Sequence, residues 1–181
     1  MSEELETEPW TLRHATAGDL PGVCEIYNHY VEHSVVTFDL EPWKVEHKRA
    51  WMSQFQTEGR CQMFVAEREG RIVGYAYSGP FRDRPAYDIT VETTVYLAPD
   101  AVGQGLGRRL YGTLIPRLRA LNLRSVIAGV TLPNTASVAL HESFGFRHVG
   151  TMGRVGLKHG KLWAVGWWQL EFPGMPGEEG A

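Results

Sequence analysis

The chain has 181 residues, of which 43% are hydrophobic and 22% charged, and 18 basic against 21 acidic residues give a net charge of -3. Those values suit one globular domain with a core of its own and exclude a disordered chain, a fibre and a small disulfide scaffold. They also speak against a broad nucleic-acid surface, and no run reaches the roughly 18 apolar residues of a membrane span.

Residues 1–9 are acidic and polar and are expected to be flexible. They contain no apolar stretch, so they do not read as a signal peptide. One domain is expected over 10–172, followed by a Pro/Gly-rich flexible tail at 173–181. Thr11–His14 reads as a strand. Thr16-Ala-Gly-Asp19 opens a helix in which Leu20, Val23, Tyr27, Tyr30 and Val31 recur at helical spacing. A second helix is predicted from Val45 to Gln56. Gln62–Arg68 and Ile72–Ser78, separated by Glu69-Gly70, form a hairpin signal that Gly79-Pro80 ends, with a loop over Asp83–Ala86. Ile89–Leu97 is the clearest strand. Val91, Thr93, Val95 and Leu97 share one face, and Thr90, Glu92, Thr94 and Tyr96 the other. After a glycine-rich turn, Leu106, Leu110, Leu114 and Leu118 mark a helix running to about Leu121. Ser125–Val130 is a buried strand, and Asn134 caps a short helix ending near Phe144. Strands at Arg147–Leu157 and Lys161–Phe172 close the chain. This order predicts an α/β (α+β) domain with a mixed sheet and helices on both faces.

The segment Val102-Gly-Gln-Gly-Leu-Gly107 lies between a strand and a helix, followed by Arg108 and Arg109. Gly103, Gly105 and Gly107 allow close backbone approach, and the helix start offers N–H groups and a partial positive charge, together an anion site. A dinucleotide G-x-G-x-x-G fails at Arg108, and the Gly-Lys-Ser/Thr of a P-loop is absent. What remains is the pyrophosphate loop of acyl-coenzyme A binders, of the form Q/R-x-x-G-x-G/A, with Val102 in the position of its first side-chain donor. Gln104, two places on, is a partial substitute.

Together with YNHYVEHSVVTFDLEP (Tyr27–Pro42), YAYSGPFRDRPAYD (Tyr75–Asp88), TVETTVYLAP (Thr90–Pro99), LPNTASVALHESFGF (Leu132–Phe146) and GLKHGKLWAVGWWQLEF (Gly156–Phe172), this loop resembles the GNAT superfamily of N-acetyltransferases. More narrowly, it resembles the phosphinothricin and methionine sulfoximine acetyltransferases. The resemblance spans nearly the whole chain from Leu12. It implies a GNAT-like, mostly antiparallel central sheet of about six or seven strands, a homodimer, a cytoplasmic setting and acetyl-CoA as co-substrate. The partners implied are a small-molecule amine, with no nucleic acid and no membrane. No metal is expected, since Cys24 and Cys61 lack any Cys/His pattern, and neither cysteine sits in a nucleophile setting that would suggest a covalent acyl-enzyme.

Transfer of an acetyl group to an amine needs a base for the amine proton and a proton for the departing thiolate. Glu92, on the strand before the loop, is the candidate base, and the resemblance puts the family's catalytic carboxylate there. His141 stands where the superfamily often carries a tyrosine general acid, and it suits either that role or a relay. The resemblance sets Gly103, Gln104, Gly105, Leu106, Gly107 and Arg108 against the pyrophosphate. It sets Val95, Tyr96 and Leu97 against the pantetheine as an added strand would pair, with Asn134 and Ser137 beside them. For a zwitterionic acceptor with an anionic side chain, Arg82, Arg84 and Tyr87 are the candidate contacts, and Asn28, Tyr30 and Phe38 the candidate walls. Lys158 and His159, at a hairpin tip, are positioned to reach a partner subunit. Two alternatives stay open: another primary amine as acceptor, such as an amino acid, polyamine or peptide N-terminus, or an acyl-coenzyme A sensing module without turnover.

Overall fold

The computed structural model describes residues 10–173, so residues 1–9 and, of the tail expected at 173–181, residues 174–181 lie outside the described residues. Seven strands form one sheet among the described residues: β1 (Thr11–His14), β2 (Met63–Arg68), β3 (Arg71–Pro80), β4 (Thr90–Leu97), β5 (Ser125–Leu132), β6 (Arg147–Lys158) and β7 (Lys161–Glu171). The spatial order is β1-β2-β3-β4-β5-β7-β6. Every neighbouring pair is antiparallel except β4 with β5, in agreement with the mostly antiparallel expectation. The helices are α1 (Leu20–His33), α2 (Val45–Met52), α3 (Leu106–Arg119) and α4 (Thr135–Ser143). None of them is long and apolar enough to cross a membrane.

The β2–β3 hairpin turns where the sequence places Glu69-Gly70. Both residues have positive φ, 53° and 77°, as a two-residue turn matched to strand twist requires. α2 ends at Met52, four residues short of the predicted Gln56. There the chain turns into backbone bonds such as Gln56 N to Cys61 O, at 2.9 Å, that no helix contains. In α3, Leu106, Leu110, Leu114 and Leu118 are all fully buried, each contributing roughly 1.5–3 kcal/mol by burial.

The alternation along β4 sorts the helices. Tyr96 meets Tyr27 of α1 edge-on at 5.2 Å, whereas Thr93 meets Tyr111 of α3. Side chains alternate across a strand, so Glu92, Thr94 and Tyr96 face the α1 side. Val91, Thr93, Val95 and Leu97 face the α3 side.

Candidate active site

The sheet divides beside Glu92. β4 and β5 pair at only three positions, Thr90 with Ser125, Val91 with Val126 and Glu92 with Ile127. Beyond them β4 stays paired with β3 as far as Leu97, and β5 stays paired with β7 as far as Leu132. Each strand follows its own antiparallel partner, so the two blocks of sheet part. The β5-facing edge of Thr93–Leu97 is left without a strand partner. The split opens into a cavity of about 570 Å³ lined by Thr93–Leu97, Gly129–Thr131, the glycine loop and the inner face of α4. Tyr30 also lines the cavity, its hydroxyl donating to the Leu97 carbonyl at 2.7 Å.

The glycine loop lines the same cavity. Gly103 and Gly105 have φ of 80° and 81°, a region that side-chain-bearing residues enter only with strain. Gly105 is the N-cap of α3, so the first N–H groups of that helix have no partner within it. Gly103, Gly105–Gly107 and Arg108 all line the cavity. Gln104 does not make up for Val102. Its side-chain amide turns back and donates to the Asp100 carbonyl at 2.7 Å, and the Asp100 carboxylate is in turn bonded by Arg68 and Arg71. Gln104 therefore braces the loop from outside. An unpaired strand edge, two left-handed glycines and an uncapped helix start form a cradle built largely from backbone donors, which fits a pantetheine arm ending in a pyrophosphate.

Glu92 is half-buried on the α1 face at the apex of the split. Burial pushes its carboxyl above the usual carboxylate range, and the nearby Arg82 guanidinium works against that shift. Among the described residues its carboxylate has no hydrogen-bond partner. Arg82 lies over the Phe81 ring at 4.1 Å and donates to the Phe81 carbonyl. Tyr87 meets the same ring edge-on. Arg84 is exposed at the start of the turn Pro85–Tyr87 that leads into β4.

His141 is on the opposite face and is 3% exposed. Its Nδ1 lies 2.7 Å from the Ser137 carbonyl, which can only accept, so the proton sits on Nδ1. Nε2 is then the acceptor for the Tyr111 hydroxyl at 2.9 Å, which also lies 3.3 Å from Thr93 Oγ1. Burial lowers the His141 pKa, with the Ser137 bond opposing, so the imidazole is neutral and both nitrogens are engaged. Tyr111 was missed from sequence. It follows Leu110 in the leucine ladder and reads as another core residue, although Thr93 on the same face of β4 is a polar neighbour for it. Asn134 accepts from the Ser137 N–H at 3.1 Å as the N-cap of α4, and both residues line the cavity.

Asn28 requires a correction. Its amide donates to the Trp43 carbonyl at 2.9 Å and its Oδ1 accepts from the Trp43 N–H at 2.6 Å. Both polar ends are committed to the chain, so Asn28 braces the loop of residues 34–43 instead of presenting a group to an acceptor. Phe38 lies in that loop and packs on Gly156. At the β6–β7 tip, Lys158 is buried and donates to the Thr37 carbonyl, while the exposed His159 lies near the Ser34 carbonyl of the same loop. The free thiols Cys24 and Cys61 are buried and half-buried, and burial raises the pKa of both.

Residues 23–146 match the profile of the Acetyltransferase (GNAT) family. The chain is 44% identical over 160 residues to a phosphinothricin N-acetyltransferase of Streptomyces coelicolor, covering 87% of this chain and 94% of that protein. It is 34% identical over 161 residues to an L-methionine sulfoximine/L-methionine sulfone acetyltransferase of Salmonella typhimurium, covering 89% and 94%. Its fold matches the crystal structure of a phosphinothricin acetyltransferase from Sinorhizobium meliloti in complex with AcCoA, with a TM-score of 0.85, 36% identity and coverage of 91% and 89%. The split sheet, the glycine loop and these likenesses agree: the chain belongs to the GNAT family and is an acetyl-CoA-dependent N-acetyltransferase.

Proposed function

We propose that the enzyme acetylates the amino group of a small amino acid analogue of the phosphinothricin or methionine sulfoximine type, by direct attack with both substrates bound. The observation that carries this reading is Glu92, a half-buried carboxylate with no hydrogen-bond partner among the described residues, at the apex of the split. Burial makes Glu92 a better base than an exposed carboxylate, because its pKa moves toward the working pH.

Acetyl-CoA supplies the acetyl thioester. Gly103, Gly105–Arg108 and the start of α3 hold its pyrophosphate, while the edge of Val95–Leu97, with Asn134 and Ser137, pairs with its pantetheine. On the α1 face, Glu92 takes a proton from the acceptor ammonium, directly or through one water. The amine lone pair then forms the new N–C bond, the nitrogen releases its second proton to solvent, and the C–S bond breaks. On the α3 face, the Tyr111 hydroxyl turns from His141 Nε2 to give its proton to the departing sulfur and is reprotonated from solvent, while His141, whose proton is held on Nδ1 by the Ser137 carbonyl, positions the phenol. Burial keeps the Tyr111 hydroxyl protonated throughout the working range. Arg82, Arg84 and Tyr87 receive the carboxylate and anionic side chain of the acceptor, with Tyr30 and Phe38 as walls. A second copy of the chain covers the exposed apolar residues of β6 and β7, including Val149, Val155 and Leu162, to give a homodimer. Free thiols at Cys24 and Cys61 suit a cytoplasmic, reducing setting.

Thiol release from acetyl-CoA, measured with phosphinothricin, methionine sulfoximine, methionine sulfone, common amino acids, spermidine and a short peptide, tests the assignment. Fast release with the first three is expected. Release only with spermidine or the peptide would overturn the acceptor class while leaving the transfer chemistry standing. Tight coenzyme binding with no release for any acceptor would favour a sensing role.

A further inference from the structure

The loop of residues 34–43 has no regular secondary structure, yet Thr37 within it is buried. It is held from two directions. From α1, the Tyr27 hydroxyl meets Thr37 Oγ1 and Asp39 Oδ2, and Trp43 Nε1 donates to the same Asp39 oxygen at 2.6 Å. From the other end of the sequence, the β6–β7 tip closes on it. Lys158 Nζ donates to the Thr37 carbonyl at 2.9 Å across 121 residues of chain. His159 Nε2 lies 3.3 Å from the Ser34 carbonyl. Gly156 is pressed so closely on Phe38 that a Cβ there would lie 2.3 Å from the ring.

Lys158 is 3% exposed, a rare condition for a lysine at a hairpin tip. A buried ammonium is costly unless it is paired. Here the pairing fixes one carbonyl between Val36, which lines the same cavity as the glycine loop, and Phe38, which packs on Gly156. We propose that Lys158 is a positioning residue for the acceptor: by gripping the Thr37 carbonyl it sets where Phe38 and its neighbour Val36 stand and thereby sets affinity for the amine, without touching the backbone donors of the glycine loop. The inference rests on the reading of this loop as an acceptor wall.

The test uses the full chain and whichever amine the unaltered enzyme acetylates fastest. Lys158→Met keeps the length and removes the ammonium. The acceptor KM is expected to rise about tenfold or more, in line with loss of a charge-assisted bond to a buried carbonyl, while the acetyl-CoA KM stays unchanged. Lys158→Arg restores most of the loss. Hydrogen exchange of amides 34–39 speeds up, and exchange in β4 does not. Gly156→Ala pushes the same loop from its other side and gives the same split between the two KM values even if Lys158→Met fails to fold. Combined, the two changes cost less than the product of the single effects, because both act through one loop. Equal rises in both KM values, a fall in kcat at unchanged acceptor KM, or unchanged exchange in the loop would each overturn the proposal. If the unaltered enzyme acetylates no amine tested, the function reading fails instead, and the exchange comparison still decides the clamp.

Discussion

The two sides of the β4–β5 split are built differently. The proposed coenzyme side is made mostly of backbone: an unpaired strand edge, two glycines at positive φ and the start of α3, from the stretch Thr93 to Arg108, with α4 beside it. The proposed acceptor side is made of side chains carried by three distant segments: the loop of residues 34–43, the stretch Phe81–Tyr87 and the β6–β7 tip. A site made of local backbone tolerates most side-chain changes but not a change of dihedral angle. A site assembled from distant side chains is sensitive to single contacts. Glu92 and Tyr111 stand at the boundary, on opposite faces of the sheet.

That contrast orders the effects of substitution. Glu92→Gln is expected to lower kcat by about 10²–10⁴-fold, the contribution typical of a general base. Its acetyl-CoA dissociation constant should stay unchanged by calorimetric titration, because the coenzyme side does not use the carboxylate. Tyr111→Phe removes a buried hydroxyl and leaves His141 Nε2 without its partner. A loss of about 1–3 kcal/mol in stability is expected from denaturant unfolding, with kcat reduced by about 10²-fold if the phenol is the proton donor. Gly105→Ala forces a side chain into a left-handed conformation at about 1–2 kcal/mol. It should raise the acetyl-CoA KM and leave the acceptor KM alone, the reverse of the split expected at Lys158. The smallest effect is on pH dependence. Glu92 must be ionised to act as a base, so activity falls as pH drops through its raised pKa. Arg82 holds that pKa down. Arg82→Gln therefore moves the acid limb of the kcat/KM profile to higher pH, and a shift to lower pH would count against the pairing.

The same contrast explains what was legible in the sequence. The glycine loop and β4 could be read because their signals are local: β-branched alternation across Ile89–Leu97, glycines at fixed spacing and leucines at four-residue steps. Asn134 as a helix cap was legible for the same reason. The burial of Lys158 was not, because a Lys-His-Gly hairpin tip reads as one that reaches outward to a partner subunit, and its burial depends on a carbonyl 121 residues away. Asn28 was assigned to the acceptor because an amide on an amphipathic helix looks available, and only the fold brings Trp43 back to engage both its ends. The sequence offers His141 as a candidate for proton transfer. Its neutral, doubly engaged state depends on Tyr111 arriving from another helix.

The central claim is direct transfer across the split, with a base on one face of the sheet and a proton donor on the other. Initial velocities measured over a grid of acetyl-CoA and acceptor concentrations test it most directly. Direct attack in a complex of both substrates predicts double-reciprocal lines that intersect. Parallel lines, together with acetyl label retained on the isolated protein after exposure to acetyl-CoA alone, would contradict it.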